Sequence, residues 1–374
     1  MIDRSNPVND MGHGSVAVVL GTRPEIIKLS HVIRLLGPAA TIVHTGQHYD
    51  WSLSAAFMEA FELPSPAAHI GVGGKTRGAQ IGLATSALDE YLANHRPKAL
   101  VVQGDTNTAL AGGLAANAGE IPLLHVEAGL RSFDRRMPEE HNRVLIDHIA
   151  DVLFAPTDVA EKNLLEEGIP ESRVHVTGNT VMEAVLELLP EPSERRSLLD
   201  RHRLRPARYV LSTFHRPENV DDPERFALIL RQLASLDLPV LLPLHPRSLA
   251  RAAEHGLTPL LDQLLVVDPI GYREFLGLGA ESAFLISDSG GVQEEVSVYK
   301  RSVIVVRRST ERPEVLGTFA ELVEPGPAIS QVAGRWASDV SGLHQRLASI
   351  PSPYGDGSAS AQIVSEIGEV VVAS

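Results

Sequence analysis

Residues 99–127 read ALVVQGDTNTALAGGLAANAGEIPLLHVE, and this stretch decides the fold class of the chain. It holds two short apolar runs, at 99–102 and 123–126, with a turn and a helix-like stretch between them. Strands that alternate with helices at this spacing form a parallel sheet with helices on both faces. The stretch therefore predicts one strand–helix–strand unit of a doubly wound α/β domain.

Apolar runs of the same kind recur in two series. The first lies at 15–20, 40–44, 99–102, 123–126 and 152–155, and the second at 209–213, 240–244, 264–267, 284–287 and 303–306. With 374 residues, the chain is also longer than the usual single hydrophobic core. We therefore expect two similar domains, each built on its own parallel sheet.

Two polar, proline-bearing breaks set the expected domain boundaries. The first, at 188–196, suits a connection between lobes, and the second, at 350–357, precedes a final helical stretch at 358–371. We expect residues 14–184 to form the N-terminal domain and residues 185–355 the C-terminal domain. The C-terminal helix, within 356–374, is expected to pack back on the N-terminal domain.

Charge and composition exclude several classes of protein. The formal net charge of -14 argues against a nucleic-acid partner, since such binding depends on clustered Lys and Arg that neutralise phosphates. The chain has no cysteine, which removes disulfides, thiolate nucleophiles and cysteine-based zinc sites. Residues 1–14 lack the apolar core of a secretory signal, and no segment approaches the roughly 20 apolar residues that span a bilayer. We expect a cytoplasmic protein without a membrane partner.

The motif Gly21-Thr-Arg-Pro-Glu25 follows the first expected strand. Ligands of open α/β sheets bind beyond the carboxyl ends of the strands, where loops run into helices. Pro24 suits a first helical turn, which would place Arg23 beside the positive end of a helix and favour an anion. The alternative is that Pro24 and Glu25 merely begin a helix, and the motif alone leaves both interpretations open.

A glycine-containing turn, Asp288-Ser-Gly-Gly-Val-Gln-Glu-Glu295, follows a strand of the second series. Gly290 and Gly291 would let backbone N–H groups approach a diphosphate closely. Glu295, one helical turn beyond Gly291, could accept ribose hydroxyl groups. A plain turn capped by Ser289 is the alternative.

Three acidic residues after expected strands, Asp105, Glu127 and Glu139, are the candidate catalytic carboxylates. A buried carboxyl group near another can have its pKa raised and so exchange protons near neutral pH. Each has a simpler interpretation, because Asp105 could cap a helix, and Glu139 and Glu140 behind Pro138 could be ordinary first-turn residues. Their common position at strand ends favours acid/base chemistry.

Two histidines follow strands of the second series. His215 lies in Phe214-His-Arg-Pro-Glu-Asn219 and His245 in His245-Pro-Arg-Ser248. Loop histidines can bind phosphate or transfer protons, although many are only surface groups. We favour a functional role for His215 and leave both interpretations open for His245. No motif with the spacing of a P-loop, a dinucleotide fingerprint or a zinc deaminase is present, so we expect neither a redox cofactor nor a metal.

Eight motifs in order resemble those of the non-hydrolysing UDP-N-acetylglucosamine 2-epimerases. The resemblance runs from about residue 15 to 325, through Gly21-Thr-Arg-Pro-Glu25, Thr45-Gly-Gln-His48, Gln103-Gly-Asp105, His125-Val-Glu-Ala-Gly-Leu-Arg131, Pro138-Glu-Glu140, His215-Arg216, Asp288-Ser-Gly-Gly291 and Glu311-Arg-Pro-Glu314. It implies a glycosyltransferase-B-like fold of two Rossmann-like domains, a ligand site in the cleft between them and a homodimer. It also implies that UDP is eliminated to give a 2-acetamidoglucal and then added back, without a cofactor.

The resemblance also implies roles for individual residues. By motif position, Asp105, Glu127 and Glu139 match the family's acid/base carboxylates, and His215 matches its catalytic histidine beside the diphosphate. The other matched positions bind the UDP-sugar substrate: Arg23, Ser289, Gly290 and Gly291 at the diphosphate, Glu295 at the ribose and Phe275 by the uracil. His245 joins them as a candidate substrate contact.

Several segments depart from the family's pattern. Many bacterial members have a second Gln after Gly-Gln-His and bind regulatory UDP-N-acetylglucosamine there, whereas this chain reads Gln47-His-Tyr-Asp50. That difference argues against activation by substrate. Tyr299-Lys-Arg-Ser302 stands where Leu-Gly-Lys-Pro is common, and the segment 312–317 is shorter than usual. A 2,3-diacetamido sugar as substrate, a retaining glycosyltransferase and a silent nucleotide-sugar sensor are the alternatives.

Overall fold

The computed structural model describes residues 11–47 and 51–373, and the chain divides there into two compact units. The first unit takes in the chain up to Ala184 and again from Tyr354, and the second comprises Val185–Pro353.

The strands are short and spread evenly along the chain. Those of the first unit are β1 (Val16–Leu20), β2 (Ala40–His44), β3 (Ala68–His69), β4 (Ala99–Gln103), β5 (Leu123–Val126), β6 (Val152–Ala155) and β7 (Val174–Val176). Those of the second unit are β8 (Val210–Thr213), β9 (Val240–Pro243), β10 (Leu265–Val267), β11 (Phe284–Ser287), β12 (Val303–Val306) and β13 (Ala320–Val323).

Helices connect the strands throughout. They are α1 (Arg23–Leu36), α2 (Trp51–Ala60), α3 (Arg77–His95), α4 (Asn107–Ala118), α5 (Pro138–Ile149), α6 (Asp158–Glu166), α7 (Val181–Leu188), α8 (Pro192–His202), α9 (Pro217–Val220), α10 (Pro223–Ala234), α11 (Pro246–Glu254), α12 (Thr258–Leu261), α13 (Tyr272–Glu281), α14 (Gly290–Val298), α15 (Ala328–Ala337), α16 (Val340–Ala348) and α17 (Ala359–Ala373).

Each unit is built on one parallel sheet. Over the described ranges, the strand order is β3-β2-β1-β4-β5-β6-β7 in the first unit and β10-β9-β8-β11-β12-β13 in the second. The second order repeats that of the first six strands of the first unit, and it is the order of a Rossmann fold. The expected class, α/β with two Rossmann-like units in a glycosyltransferase-B-like fold, is confirmed.

The structure adds three strands that the sequence did not reveal, β3, β7 and β13. All three are edge strands, paired on one side only. Edge strands can be short and partly polar because one face and one edge meet solvent, so they lack a long apolar run. The stretch 188–196, expected to be a connection, is also partly helical, since α8 begins at Pro192.

The core of the first unit includes the last helix of the chain. Helices α1 and α17 share one hydrophobic cluster with β1. Their inward residues recur every three or four positions, as in any amphipathic helix: Ile26, Leu29, Val32, Ile33 and Leu36 on α1, and Ile363, Val364, Ile367 and Val371 on α17. Each such buried side chain stabilises the fold by about 1.5–3 kcal/mol.

The turn after β5 passes very close to α6. Gly129 has a φ of 81°, and a Cβ at this position would lie 2.3 Å from the carbonyl oxygen of Ala160. Gly168, just after α6, has a similar φ of 85°, but nothing lies within 4 Å of its Cβ position. Gly129 is therefore required both for its backbone conformation and for the close contact.

We expect Gly129→Ala to lower the free energy of unfolding by about 3 kcal/mol or more, because a steric clash adds to the left-handed backbone strain. Gly168→Ala is the matched control and should lose only about 1 kcal/mol, from strain alone. Urea unfolding followed by circular dichroism measures both. Equal losses in the two variants would show that the contact with α6 is not tight.

Candidate functional site

A pocket of about 380 Å3 lies in the first unit, beyond the ends of β1 and β4. Asp105 and Glu139 both line it, together with Thr22, Gln47, Arg77 and Asn142. In this sheet β1 and β4 are the neighbours at which the strand order reverses. Open α/β sheets bind their ligands at this switch point. The structure thus brings two of the three candidate carboxylates to one pocket at the expected place.

Asp105 is held by α5 and does not cap α4. The N-cap residue is Thr106, whose hydroxyl accepts a hydrogen bond from the Ala109 backbone N–H at 2.9 Å. Arg143 Nε donates to Asp105 Oδ2 at 2.9 Å, and Asn142 Nδ2 donates to the Asp105 carbonyl at 2.8 Å. The interpretation of Asp105 as a helix cap is therefore wrong.

The two glutamates at the start of α5 have different surroundings. Glu140 is buried and accepts hydrogen bonds from the backbone N–H groups of Ser132 at 2.9 Å and Phe133 at 2.8 Å. Arg143 Nη1 also donates to Glu140, at 2.6 Å. Glu140 therefore fixes the loop before α5, whereas Glu139 is half-buried and lines the pocket.

Glu127 lies just after β5, with a φ of 66° and 7% exposure. Its Oε2 forms a short ion pair with Lys28 of α1 and accepts from Gln103 Nε2 at 3.0 Å. Asn179 Nδ2 lies 3.4 Å from the same oxygen. The sequence reasoning quoted Gln103 only as part of a motif and missed Lys28 and Asn179. A signal for Lys28 existed, because it occurs among the apolar residues of α1.

Glu25 joins the loop after β1 to the loop after β4. Its Oε2 accepts from the N–H groups of Gly21 at 2.9 Å and Thr22 at 2.8 Å, and its Oε1 accepts from the Thr106 hydroxyl at 2.6 Å. Burial raises the pKa of Glu25 to about 7, although the hydrogen bonds oppose this shift. Arg23 is the exposed first residue of α1, so the motif does begin a helix and also places Arg23 at its N-terminus.

In the second unit, Asp288 organises the loop after β8. Its buried carboxylate accepts from the backbone N–H groups of His215 at 3.2 Å and Arg216 at 3.1 Å, and from Asn219 Nδ2 at 3.1 Å. Burial alone would raise the pKa of Asp288, but His215 and Asn219 outweigh it and lower the pKa. His215 Nδ1 lies 3.1 Å from Asp288, while the side chain of His215 is 57% exposed.

The glycines of the same turn open α14. Ser289 is the N-cap residue by position, but its side chain makes no capping hydrogen bond, so the interpretation as a turn capped by Ser289 is wrong. Instead, the Ser289 N–H donates to Ser287 Oγ at 2.9 Å. A Cβ on Gly290 would lie 2.8 Å from the guanidinium of Arg312, which binds the buried Glu294. Gly290 therefore permits a close approach of side chain to backbone.

The remaining candidates of the second unit lie on two helices. Glu295 on α14 is 7% exposed and accepts from the Tyr272 hydroxyl at 3.0 Å, a partner that the sequence reasoning missed. Burial and the charge of Glu295 raise the pKa of Tyr272 well above 10. Phe275 is half-buried on α13. His245 is exposed and its Nδ1 accepts from the Arg247 N–H at 3.2 Å, so it caps α11.

Three further expectations concern the loop after β2, a metal site and a membrane-spanning helix. His48, Tyr49 and Asp50 lie outside the described residues; Gln47 lies within them and accepts from the Thr108 N–H at 2.8 Å. No group of three or more His, Asp or Glu side chains suited to a metal ion occurs within 11–47 and 51–373. Among the helices of this part of the chain, none is long and apolar enough to cross a membrane.

The family profile described as UDP-N-acetylglucosamine 2-epimerase matches residues 38–368. The chain belongs to this family. The UDP-N-acetylglucosamine 2-epimerase of Methanocaldococcus jannaschii is 39% identical over 361 residues, which cover 93% of this chain and 97% of that protein. Members of the family are isomerases. Membership of the family explains why the eight motifs occur in this order.

Two further comparisons bear on the ligand. The crystal structure of the Methanocaldococcus jannaschii enzyme in complex with UDP-GlcNAc and UDP matches with a TM-score of 0.82 and 37% identity, covering 95% of this chain and 99% of that one. The UDP-2,3-diacetamido-2,3-dideoxy-D-glucuronate 2-epimerase of Pseudomonas aeruginosa is 34% identical over 357 residues, 93% of this chain and 98% of that protein.

Glu25 should make stability depend on pH. The folded state holds its proton up to a pKa of about 7, against 4.5 for the ordinary side chain. Between these values the folded state binds more protons than the unfolded state, so the free energy of unfolding falls as pH rises. We expect Glu25→Gln to remove this dependence, so that the difference in stability between wild type and variant changes by about 3 kcal/mol across the window.

Urea unfolding of both proteins between pH 4.5 and 7.5 measures the effect. The exposed Glu59→Gln serves as the control and should leave the pH dependence of the wild type unchanged. Parallel curves for wild type and Glu25→Gln would show that Glu25 is ionised throughout.

Proposed function

We propose that this protein interconverts UDP-N-acetylglucosamine and UDP-N-acetylmannosamine by inverting carbon 2 of the sugar. Membership of the family supports the reaction class, and one observation supports the chemistry: Asp105 and Glu139 line the same pocket. Carboxyl groups positioned at one pocket can remove and return a proton at a carbon atom bound there.

The reaction conserves atoms and electrons without an added oxidant or reductant. A carboxylate removes the hydrogen at C2 while the C1–O bond breaks, and the electron pair of that bond leaves with UDP. A C1=C2 double bond forms, which gives a 2-acetamidoglucal. A proton is then delivered to the opposite face of C2, and the oxygen of UDP forms its bond to C1 again.

Asp105, Glu127 and Glu139 are the acid and base groups of this proposal. This assignment is supported by the position of Asp105 and Glu139 in the pocket lining and by the hydrogen bond from Arg143 to Asp105. Glu127 is oriented by Lys28 and Gln103 in the adjoining interior. Such prior orientation supports catalysis, since small displacements of a reacting group reduce the rate strongly.

The second unit binds the UDP group in this proposal. The N–H groups of Gly290 and Gly291 and the positive end of α14 receive the diphosphate with Ser289, a common arrangement for anions. Glu295 accepts a ribose hydroxyl, and Phe275 packs against the uracil. His215 acts beside the diphosphate, with its ring oriented by Asp288. Arg23 and His245 are proposed as further substrate contacts.

A second candidate substrate is a UDP-2,3-diacetamido sugar, which the Pseudomonas aeruginosa relative supports. A comparison of kcat/KM on the two nucleotide sugars separates these candidates. The alternative hypothesis of a retaining glycosyltransferase is supported by the fold alone, and fold does not establish function. It would require an acceptor, whereas an epimerase converts its nucleotide sugar without one.

We further propose that the protein acts as a homodimer in the cytoplasm. The resemblance to the family supports the dimer. The cytoplasmic location is supported by the lack, among the described residues, of a helix long and apolar enough to cross a membrane. Light scattering during size-exclusion chromatography should give twice the chain mass of 40.3 kDa. A mass of one chain at micromolar concentration would contradict the dimer.

Incubation with UDP-N-acetylglucosamine in heavy water, without acceptor or cofactor, should yield UDP-N-acetylmannosamine with deuterium at C2. The deuterium is expected because the proton that returns to C2 comes from a group that exchanges with solvent. Proton NMR of the sugar signals follows both events. Conversion that retains hydrogen at C2 would refute the elimination mechanism, and an unchanged spectrum would refute this substrate.

We expect Asp105→Asn and Glu139→Gln each to lower kcat by about 10²–10⁴-fold, the usual contribution of an acid or base group. The affinity for UDP, measured by calorimetry, should change by less than about twofold, because the second unit is proposed to bind UDP. A loss confined to kcat would mark an interaction made in the transition state. Glu166→Gln, at an exposed ion pair with Lys162, is the control and should have the activity of the wild type. Full activity in both pocket variants would contradict the assignment.

A further inference from the structure

A chain of linked side chains lies behind the loop that carries Asp105. It begins at His125 on β5, whose Nδ1 lies 2.7 Å from Asp147 Oδ1 and whose Nε2 lies 2.8 Å from the Gly104 carbonyl oxygen. The side chains of His125 and Asp147 are 1% and 0% exposed. Neither residue is among those that line the pocket described above, and the proposed reaction assigns no role to them.

The partners of His125 fix the orientation of its ring. A carbonyl oxygen only accepts hydrogen bonds, so Nε2 must carry a hydrogen to make the contact with Gly104. Burial raises the pKa of Asp147, but His125 and Arg131 outweigh this effect and lower the pKa. The ring of His125 is thus held between the Asp147 carboxylate and the Gly104 carbonyl.

Asp147 links His125 to further side chains. Asp147 Oδ2 pairs with Arg131 Nη1 at 2.7 Å and accepts from the Gly129 N–H at 3.2 Å. Arg131 in turn forms a two-bond pair with Glu167, from Nε and Nη2, at 2.7 Å each. Asp147 is therefore fixed by Arg131 and Gly129 as well as by its contact with His125.

The contact with Gly104 acts on the backbone that carries Asp105. Gly104 has a φ of 69° and joins the end of β4 to Asp105. Its carbonyl belongs to the peptide group whose nitrogen is that of Asp105. A hydrogen bond to this carbonyl therefore sets the plane of the peptide from which the Asp105 side chain extends. Arg143 and Asn142 hold the same residue from α5.

We infer that His125 is a positioning residue: its ring, held by Asp147, fixes the Gly104–Asp105 peptide and thereby directs the Asp105 carboxylate into the pocket. The inference rests on the proposed function in one respect, namely that Asp105 acts on the substrate. It assigns to His125 no contact with substrate.

Two substitutions separate the two contacts of the ring. Glutamine places its amide nitrogen near the position of Nε2, so His125→Gln can still donate to Gly104. Asparagine reaches only the position of Nδ1, so His125→Asn can still donate to Asp147 but not to Gly104. Both variants remove the ring, and the difference between them reports the hydrogen bond to Gly104.

We expect His125→Asn to lower kcat about 100-fold, because a displacement of the Asp105 carboxylate by about 1 Å has an effect of this size. His125→Gln should lower kcat less than about tenfold. KM and the affinity for UDP should change less than about twofold in both. Urea unfolding should show similar losses of stability, since each variant keeps one of the two hydrogen bonds of the ring and loses the other. Equal losses of kcat, or losses that follow stability, would overturn the positioning role.

An NMR measurement tests the same contact without turnover. The chain has two Gly–Asp peptides, 104–105 and 355–356, so labelling with carbonyl-¹³C glycine and ¹⁵N aspartate gives two correlated signals. The 104–105 signal should shift in His125→Asn and stay close to that of the wild type in His125→Gln. The 355–356 signal is the internal control and should not move.

Histidine labelled with ¹⁵N tests for the hydrogen on Nε2 directly. The wild-type His125 signals, identified by their loss in His125→Gln, should show a hydrogen on Nε2. A bare Nε2, or an unshifted 104–105 signal in His125→Asn, would overturn the inference. A wild type that fails to epimerise would refute the proposed function instead, while the NMR results would still decide the contact between His125 and Gly104.

Discussion

The parallel pairing of the strands is the constraint on which the candidate site depends. In a parallel sheet every strand ends at the same edge, so loops far apart in sequence meet there. The loops after β1, β4 and β5 are joined by side chains for this reason: Glu25 binds Thr106, and Glu127 binds both Lys28 and Gln103. The reversal of strand order between β1 and β4 leaves space for the pocket beside these contacts.

The buried acidic residues support the fold, whereas the partly exposed ones can contact a ligand. Asp147, Glu140 and Asp288 are buried, and several donors engage each carboxylate. A carboxylate in such surroundings fixes backbone and neighbouring side chains, because its removal would leave buried donors unpaired. Asp105 and Glu139 are partly exposed at the pocket. The motif Pro138-Glu-Glu140 thus contains one residue of each kind.

Sequence reasoning succeeded where the signal was local. The central strands have continuous apolar runs because helices cover both faces of the sheet. All nine of them, and the edge strand β10, were expected within a residue or two of their observed ends. The edge strands β3, β7 and β13 lack such runs and were missed. The basic partners Lys28 and Arg143 were also missed, because a charged residue within a helix ordinarily lies on the surface.

The sequence by itself determined the fold class, the order of the motifs and hence the family, because periodicity, turn residues and motif spacing are properties of contiguous segments. Only the tertiary structure decided which alternative applied to each motif residue. Thr106 and not Asp105 caps α4, Glu140 and not Glu139 braces the loop before α5, and His125 faces the Gly104 carbonyl. These outcomes depend on contacts between β4, β5 and α5, which exist only after the sheet has assembled, so no single segment of sequence could specify them.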